Sequence, residues 1–223
     1  MQIIAKIHTD FKEKFGIPRQ SGLSAGIAKI VFEAKYRRPE ALRGLDGYSH
    51  IWLIWKFSEL KRDEWSPTVR PPRLGGNKRV GVFATRSPYR PNPIGLSSVR
   101  LVEIRKTQNE GTVLIVEGAD LLDGTPIYDV KPYLPFTDSH PDATAGFAGE
   151  VAENNLEVKI PDGIKQLLNE DDASELTLLL SQDPRPHYKA DGENIYGMSF
   201  KDKNVSFKVS DGILTVEKID KVN

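Results

Sequence analysis

The chain has no cysteine. Disulfides and thiolate metal sites are excluded, and a reducing compartment fits. Imidazole comes only from His8, His50, His140 and His187, which are widely spaced, so no metal is expected. No apolar run approaches the roughly 20 residues of a membrane span. The first residues, MQIIAKIHTDFKEKFG, lack the long apolar core of a signal peptide. A soluble cytoplasmic protein with no membrane partner is the expectation. The nucleotide fingerprint GxGxxG is missing, because RLGGN lacks its spacing. The phosphate loop GxxxxGK[ST] and the nucleophile elbow GxSxG are missing too.

Net charge is absent only on paper. The formal total is zero, yet residues 1–106 carry 21 Lys and Arg against 9 Asp and Glu, a balance of +12. Residues 107–223 carry 10 against 22, a balance of −12. A basic half is the electrostatic footprint of a phosphate-rich partner. Two oppositely charged parts that face each other, within one chain or between subunits, would leave the same imprint.

With 223 residues, 39% of them hydrophobic, there is material for one good core and a small appended unit. Short apolar, β-branched runs dominate the first 160 positions: QIIAKIH, AGIAKIVFE, HIWLIWKF, RVGVFAT, LSSVRLVEIRK and GTVLIVEGADLL. Turn signals separate them, among them FGIPRQSG, RPPRLGGN, QNEG and LDGTP. Strands this closely spaced, without a βαβ rhythm, predict a mainly β fold, an antiparallel β-barrel over residues 1–150. RPEALRGL is one helical candidate, with Pro39 at its first turn and Gly44 at its stop. After HPDATAGFAGEVAENN the pattern changes. PDGIKQLLNE and DASELTLLLSQ read as short helices with Asp162 and Ser174 as N-caps. NIYGMSF reads as a strand, and NVSFKVSDGILTVEKI as a hairpin turning at Asp211–Gly212. Residues 155–223 therefore form a small C-terminal α+β domain.

Three stretches carry candidate chemistry. In TRSPYRPNPIG, Pro88, Pro91 and Pro93 fix the backbone where Arg86, Arg90 and Asn92 are displayed. A preset loop has little entropy left to lose on binding. Each arginine can fork onto a carboxylate or phosphate. A stiff structural loop with its arginines solvated reads equally well. In DLLDGTPIYDVKPYLPF, Asp123–Gly124 signals a tight turn. There Asp120, Asp123 and Asp129 include candidates for a ribose binder or a general base, against solvated acids. FGIPRQSGL presets Arg19 and Gln20 through Pro18. In HIWLIWKF, Trp52, Trp55 and His50 read as core residues of a fully buried strand. DPRPHY repeats the proline-framed arginine at Arg185 and adds Tyr188; RNA contact and domain docking have comparable weight there.

GVFATRSPYRPNPIGLS resembles the signature of the TsaA-like (TrmO/YaeB) family. KFGIPRQ, LDGYSHIW, PTVRPPRLGG, DLLDGTPIYDVKPYLPF and DPRPHY match in the same order, over nearly the whole chain. The resemblance implies a β-barrel methyltransferase using S-adenosylmethionine. It implies methylation of N6 in threonylcarbamoyladenosine beside the anticodon of threonine tRNA, by a homodimer with its cofactor site near the subunit interface. It places the cofactor at Pro18, Arg19 and Gln20, at Ser58 and Glu59, at Arg86 and Leu96, and at Asp123, Gly124, Thr125 and Pro126. At Ser58 the sequence departs from the family, where a histidine-like residue is expected. Arg86, Arg90, Asn92 and Asp129 are the catalytic candidates, with the general base unassigned. Arg70, Arg73, Lys78, Arg79 and Arg90 are expected to track tRNA phosphates, with Arg185 and Tyr188 as a second contact. A non-enzymatic barrel that binds S-adenosylmethionine or RNA is the alternative.

Overall fold

The computed structural model describes residues 1–60, 64–71, 74, 78–152, 155–185 and 192–221. Its first core is made by alternation. In the strand His50–Lys56, Ile51, Leu53 and Trp55 are buried while Trp52 and Ile54 are only half-buried on the other face, as the period of two requires. In chain order the strands are β1 (Ala5–His8), β2 (Ile27–Phe32), β3 (His50–Lys56), β4 (Thr68–Val69), β5 (Val80–Gly81), β6 (Ile94–Thr107), β7 (Gly111–Glu117) and β8 (Pro126–Pro132). Six of them pair in the order β1-β2-β7-β6-β3-β8, and β8 returns to β1, so the sheet closes as a barrel. All six pairings are antiparallel. Ile7, Ile30, Ile51, Leu53, Leu114 and Ile127 fill the interior with 0% exposure. Each such burial is worth about 1.5–3 kcal/mol.

Among the described residues four short helices follow: α1 (Pro135–Asp138), α2 (Phe147–Ala152), α3 (Asp162–Lys165) and α4 (Glu170–Ser181). The remaining strands are β9 (Glu157–Lys159), β10 (Gly192–Phe200), β11 (Lys203–Ser210) and β12 (Ile213–Lys221), in the sheet order β10-β11-β12-β9. Leu176 and Leu180 of α4 pack on Phe207, Leu214 and Val216 to make a second core. That core also takes Phe11 and Phe15 from the loop joining β1 to β2. In the same loop Leu23 O accepts from Gln182 Nε2, and Gly16 packs against Met198.

Several local expectations need correction. RPEALRGL forms only a 3-10 turn over Pro39–Leu42. Ser174 lies inside α4, donating to Glu170 O at 2.9 Å; the true N-cap is Asn169, whose Oδ1 accepts from Asp172 N at 2.7 Å. A Ser inside a helix returns its proton to the preceding turn, so residue type alone did not separate cap from interior. Asp162 is the first residue of α3 and Pro161 its cap. RVGVFAT gives two strand residues and then a 3-10 turn. His50 is exposed, with Nδ1 3.0 Å from Ser49 Oγ, so β3 is not buried on both faces. The Asp211–Gly212 hairpin is as expected: both residues have positive φ, 52° and 76°, as a two-residue type I′ turn needs.

Candidate functional site

Antiparallel order gathers the three proline- and glycine-rich stretches. β1, β3 and β7 end where β2, β6 and β8 begin. The β1–β2 loop, the β3-to-β6 segment and the β7–β8 turn therefore open at one end of the barrel. Between them lies a cleft of about 780 Å³, within the range of small-molecule sites. Ile17, Pro18, Trp55, Phe57, Leu96 and Leu122 give it apolar walls; Arg19, Gln20, Arg86, Arg90, Asp120 and Thr125 give it polar ones.

Gly95 makes room for the floor. It pairs with Trp55 across the β3–β6 ladder, and a Cβ at Gly95 would lie 2.2 Å from the indole. The indole lies flat over the glycine, 4.3 Å from the Phe57 ring between centroids. From this floor a polar chain runs inward. Trp55 Nε1 donates to Ser97 Oγ at 2.9 Å, and the Ser97 hydroxyl donates to Asp120 Oδ1 at 2.6 Å. Burial pushes the Asp120 carboxyl above its ordinary range. The Ser97 hydroxyl, backbone N–H groups and the Arg86 charge draw it back only in part.

Of the expected cofactor residues, Pro18, Arg19, Gln20, Ser58, Glu59, Arg86, Leu96 and Thr125 line the cleft. Arg86 is exposed and donates to Gln20 Oε1. Among the described residues no carboxylate lies within ion-pair distance of it. Glu59 is held by Lys14 at 3.5 Å. Asp123, Gly124 and Pro126 stand behind the wall. Gly124 has φ 76° and closes the turn in which Thr125 N bonds Leu122 O at 3.1 Å. Asp123 accepts from Thr9 N at 3.1 Å and from Lys12 at 2.7 Å. Burial raises its carboxyl, but the Lys12 and Thr9 hydrogen bonds and the charges of Lys12 and His8 bring it below the ordinary value. Asp123 therefore ties the turn to β1 and is not a base.

The catalytic candidates separate in the same way. Arg86 and Arg90 line the cleft; Asn92 and Asp129 do not. Asp129 caps its own neighbour, Val130 N, at 2.9 Å and pairs with Lys131 at 3.0 Å. Asn92 is exposed outside the cleft. Arg90 donates to Thr85 O at 2.7 Å and sits 5.8 Å from the Phe83 ring centre, so it braces its own loop while facing the cleft. Asp120, one of three acids the sequence left open, is the one carboxylate of the DLLDGTP run that lines the cleft.

In the β3-to-β6 segment, whose Phe57, Tyr89 and Arg90 line the cleft, Arg70, Lys78 and Arg79 are exposed. Arg73 and Tyr188 lie outside the described residues. The sequence reading missed Trp65 and Phe83 of the same segment, which are 51% and 72% exposed; an apolar side chain gives no sign of exposure without its partners. Arg185 is the reverse case. Its side chain is 9% exposed, with Nε 2.8 Å from Asp183 Oδ1 and NH2 3.0 Å from Asp183 Oδ2. Arg19 donates to the backbone oxygen of Asp183. The Arg185 side chain, expected as a second tRNA contact, is thus held by Asp183 inside the fold.

Barrel and cleft define a β protein with a pocket of small-molecule size at one end of its barrel. The family of the tRNA-methyltransferase O N-terminal domain matches residues 6–139, and that of the TrmO C-terminal domain residues 153–222. The chain belongs to the tRNA-methyltransferase O family. It is 43% identical over 217 residues to the tRNA (adenine(37)-N6)-methyltransferase of Escherichia coli, covering 93% of this chain and 92% of that one. It is 39% identical over 211 residues to the putative S-adenosylmethionine-dependent methyltransferase RcsF of Pseudomonas aeruginosa, covering 91% and 89%. The crystal structure of TrmO from Pseudomonas aeruginosa superposes with a TM-score of 0.73 at 31% identity, covering 98% of this chain and 97% of that one.

Proposed function

We propose that this chain transfers a methyl group from S-adenosylmethionine to N6 of threonylcarbamoyladenosine at position 37 of threonine tRNA. The observation that carries this reading is the cleft itself. It joins an aromatic floor, an arginine that among the described residues has no carboxylate within ion-pair distance, and a half-buried carboxylate; on this reading Arg70, Lys78 and Arg79 form its basic rim. The residues present fit the cofactor: Trp55, Phe57 and Leu96 offer apolar cover, Arg86 a fork for a carboxylate, and Gly95 the space beneath the floor. Bound S-adenosylmethionine supplies an electrophilic methyl on a sulfonium, whose displacement needs positioning above all. The chain's part is to fix the ligand through the Pro18–Gln20 wall, exclude water with Trp55 and Phe57, and hold Arg86 and Arg90 where a threonyl or cofactor carboxylate binds.

Arg70, Lys78 and Arg79 supply phosphate contacts, and Trp65 and Phe83 offer faces on which unstacked anticodon-loop bases stack. A homodimer is supported by the outer face of β3 and β6. Trp52, Ile54 and Leu96 line a second recess there, and Leu96, shared with the cleft, is 54% exposed. Residues 1–150 act as the catalytic unit, and 155–223 as the support that clamps the Pro18–Gln20 loop.

The test is turnover on threonine tRNA that carries threonylcarbamoyladenosine, with nucleosides analysed by mass spectrometry. One added methyl on that nucleoside is the expected product. Saturable cofactor binding without turnover would instead establish the non-enzymatic barrel.

A further inference from the structure

Methylation at N6 of a urea-like nitrogen requires that nitrogen to lose its proton. Two acids of the DLLDGTPIYD run are committed elsewhere, Asp123 to Thr9 and Lys12 and Asp129 to Val130 and Lys131. Asp120 differs on each point. It lines the cleft, and its Oδ1 ends the Trp55–Ser97 chain. Trp55 Nε1 can only donate, so Ser97 Oγ accepts from it and turns its own proton toward Asp120. The chain has one polarity and keeps the carboxylate's orientation fixed from β3 through β6. Among the described residues no Lys or Arg is within ion-pair distance of Asp120. The charged groups that face the same space are Arg86 above all, with Lys14, Arg19, Arg90 and Glu59 on the other walls.

We propose that Asp120 is the general base of the reaction and that Ser97, held by Trp55, is its positioning residue. The proposal rests on the methyltransferase reading above. The N6–H bond breaks, and its proton passes to the Asp120 carboxylate, which becomes a neutral acid. The nitrogen's electron pair takes the methyl, and the pair of the broken S–CH3 bond stays on sulfur. One negative charge on Asp120 and one positive charge on sulfur are thereby cancelled together. The raised carboxyl suits this task, because a base is most effective when its own affinity for protons approaches working pH.

Asp120→Asn keeps the shape and the hydrogen bond from Ser97 but cannot take the proton. Four measurements on the full-length protein decide the matter: S-adenosylmethionine binding by calorimetry, thermal unfolding, single-turnover rate on modified threonine tRNA, and the pH dependence of that rate. The expected result is cofactor affinity within about threefold of wild type and a rate lower by about 10²–10⁴. The wild-type acid limb should vanish. Unfolding should give an independent sign. A raised acid makes the folded state the better proton binder, so wild-type stability declines as pH rises from the ordinary aspartate value through the folded one. Asparagine lacks that penalty. The variant should unfold above wild type at neutral pH, with the gap closing toward about pH 4. Ser97→Ala supplies the second arm: without the hydroxyl that favours the ionised form, the acid limb should move to higher pH.

Near-normal rates with an unchanged limb in Asp120→Asn overturn the proposal. Loss of cofactor binding overturns it too, and makes Asp120 a ligand. If Asp120→Asn does not fold, an unmoved limb in Ser97→Ala overturns it. Wild-type protein that binds the cofactor but leaves the tRNA unmethylated overturns the reaction itself, and the proposal with it.

Discussion

Two segments carry the same device, an arginine set among prolines, and use it in opposite ways. In TRSPYRP the Arg86 side chain is exposed at the cleft and meets Gln20, an uncharged partner. In DPRP the Arg185 side chain is 9% exposed and forks onto Asp183 two residues before it. Proline presets both backbones. On the proposed reading, what separates binder from brace is whether the chain also supplies a carboxylate within ion-pair distance. A guanidinium already neutralised by its own loop has little to offer a ligand; one left with an amide retains its charge for an incoming anion. The two are also linked. Asp183 gives its backbone oxygen to Arg19, which walls the cleft that Arg86 faces.

The largest break is removal of residues 155–223. It takes the second core away from Phe11 and Phe15 and takes Asp183 away from Arg19. The expected outcome is loss of measurable S-adenosylmethionine binding by calorimetry, with the truncated chain prone to aggregate. Binding at wild-type strength would show that the loop holds its shape without the clamp. Next comes Arg185→Ala. Breaking a buried pair costs about 3–5 kcal/mol, so urea unfolding should shift strongly while tRNA affinity in the remaining folded protein holds. A variant that loses tRNA affinity and keeps stability would return Arg185 to the RNA side. Arg86→Ala should show the mirror image. Loss of a charged hydrogen bond costs about 1.5–3 kcal/mol, or roughly a 10- to 150-fold fall in kcat/KM. Unfolding should stay within about 0.5 kcal/mol of wild type, as for an exposed side chain.

A third substitution tests the cleft floor. Gly95→Ala places a methyl where the Trp55 indole lies. Overpacking of this kind costs about 1–3 kcal/mol. Tryptophan fluorescence should shift as the indole leaves Ser97, and cofactor affinity should fall with it. An unchanged spectrum would mean that the β3–β6 ladder yields instead.

The mainly β, antiparallel character was legible because alternation survives in a single sequence: Ile51, Leu53 and Trp55 point inward as the period of two says. The convergence of three loops was legible too, once strands were placed, because antiparallel order alternates the ends. Three things were hidden. β8, Pro126–Pro132, was not among the runs read as strands; a proline stands at each of its ends, where strands tolerate it. The role of Gly95 depends on Trp55, 40 positions earlier, and no local rule connects them. Asp120, Asp123 and Asp129 are chemically alike in the sequence; only neighbours remote in sequence, Ser97 for one and Thr9 and Lys12 for another, tell them apart.

The smallest expected effect concerns the division of charge. On the proposed reading, the +12 of residues 1–106 serves tRNA where it is exposed and, among the described residues, without a carboxylate partner, as at Arg70 and Lys78, and at Arg79, whose NH1 meets the Thr68 hydroxyl at 3.0 Å. If those three hold phosphates, each releases counterions on binding. Replacing all three with alanine should make the plot of log affinity against log salt shallower by about 2, at roughly 0.7–0.9 per contact. The acidic half offers the control. Lys165, Lys208 and Lys218 are exposed as well, but Lys208 and Lys218 already pair with Glu217 and Asp220 at 2.8 Å. Their triple alanine variant should leave the slope where it was. Equal changes in both variants would mean that the RNA responds to total charge rather than to the rim. The asymmetry of the two halves would then be a property of solubility and not of recognition.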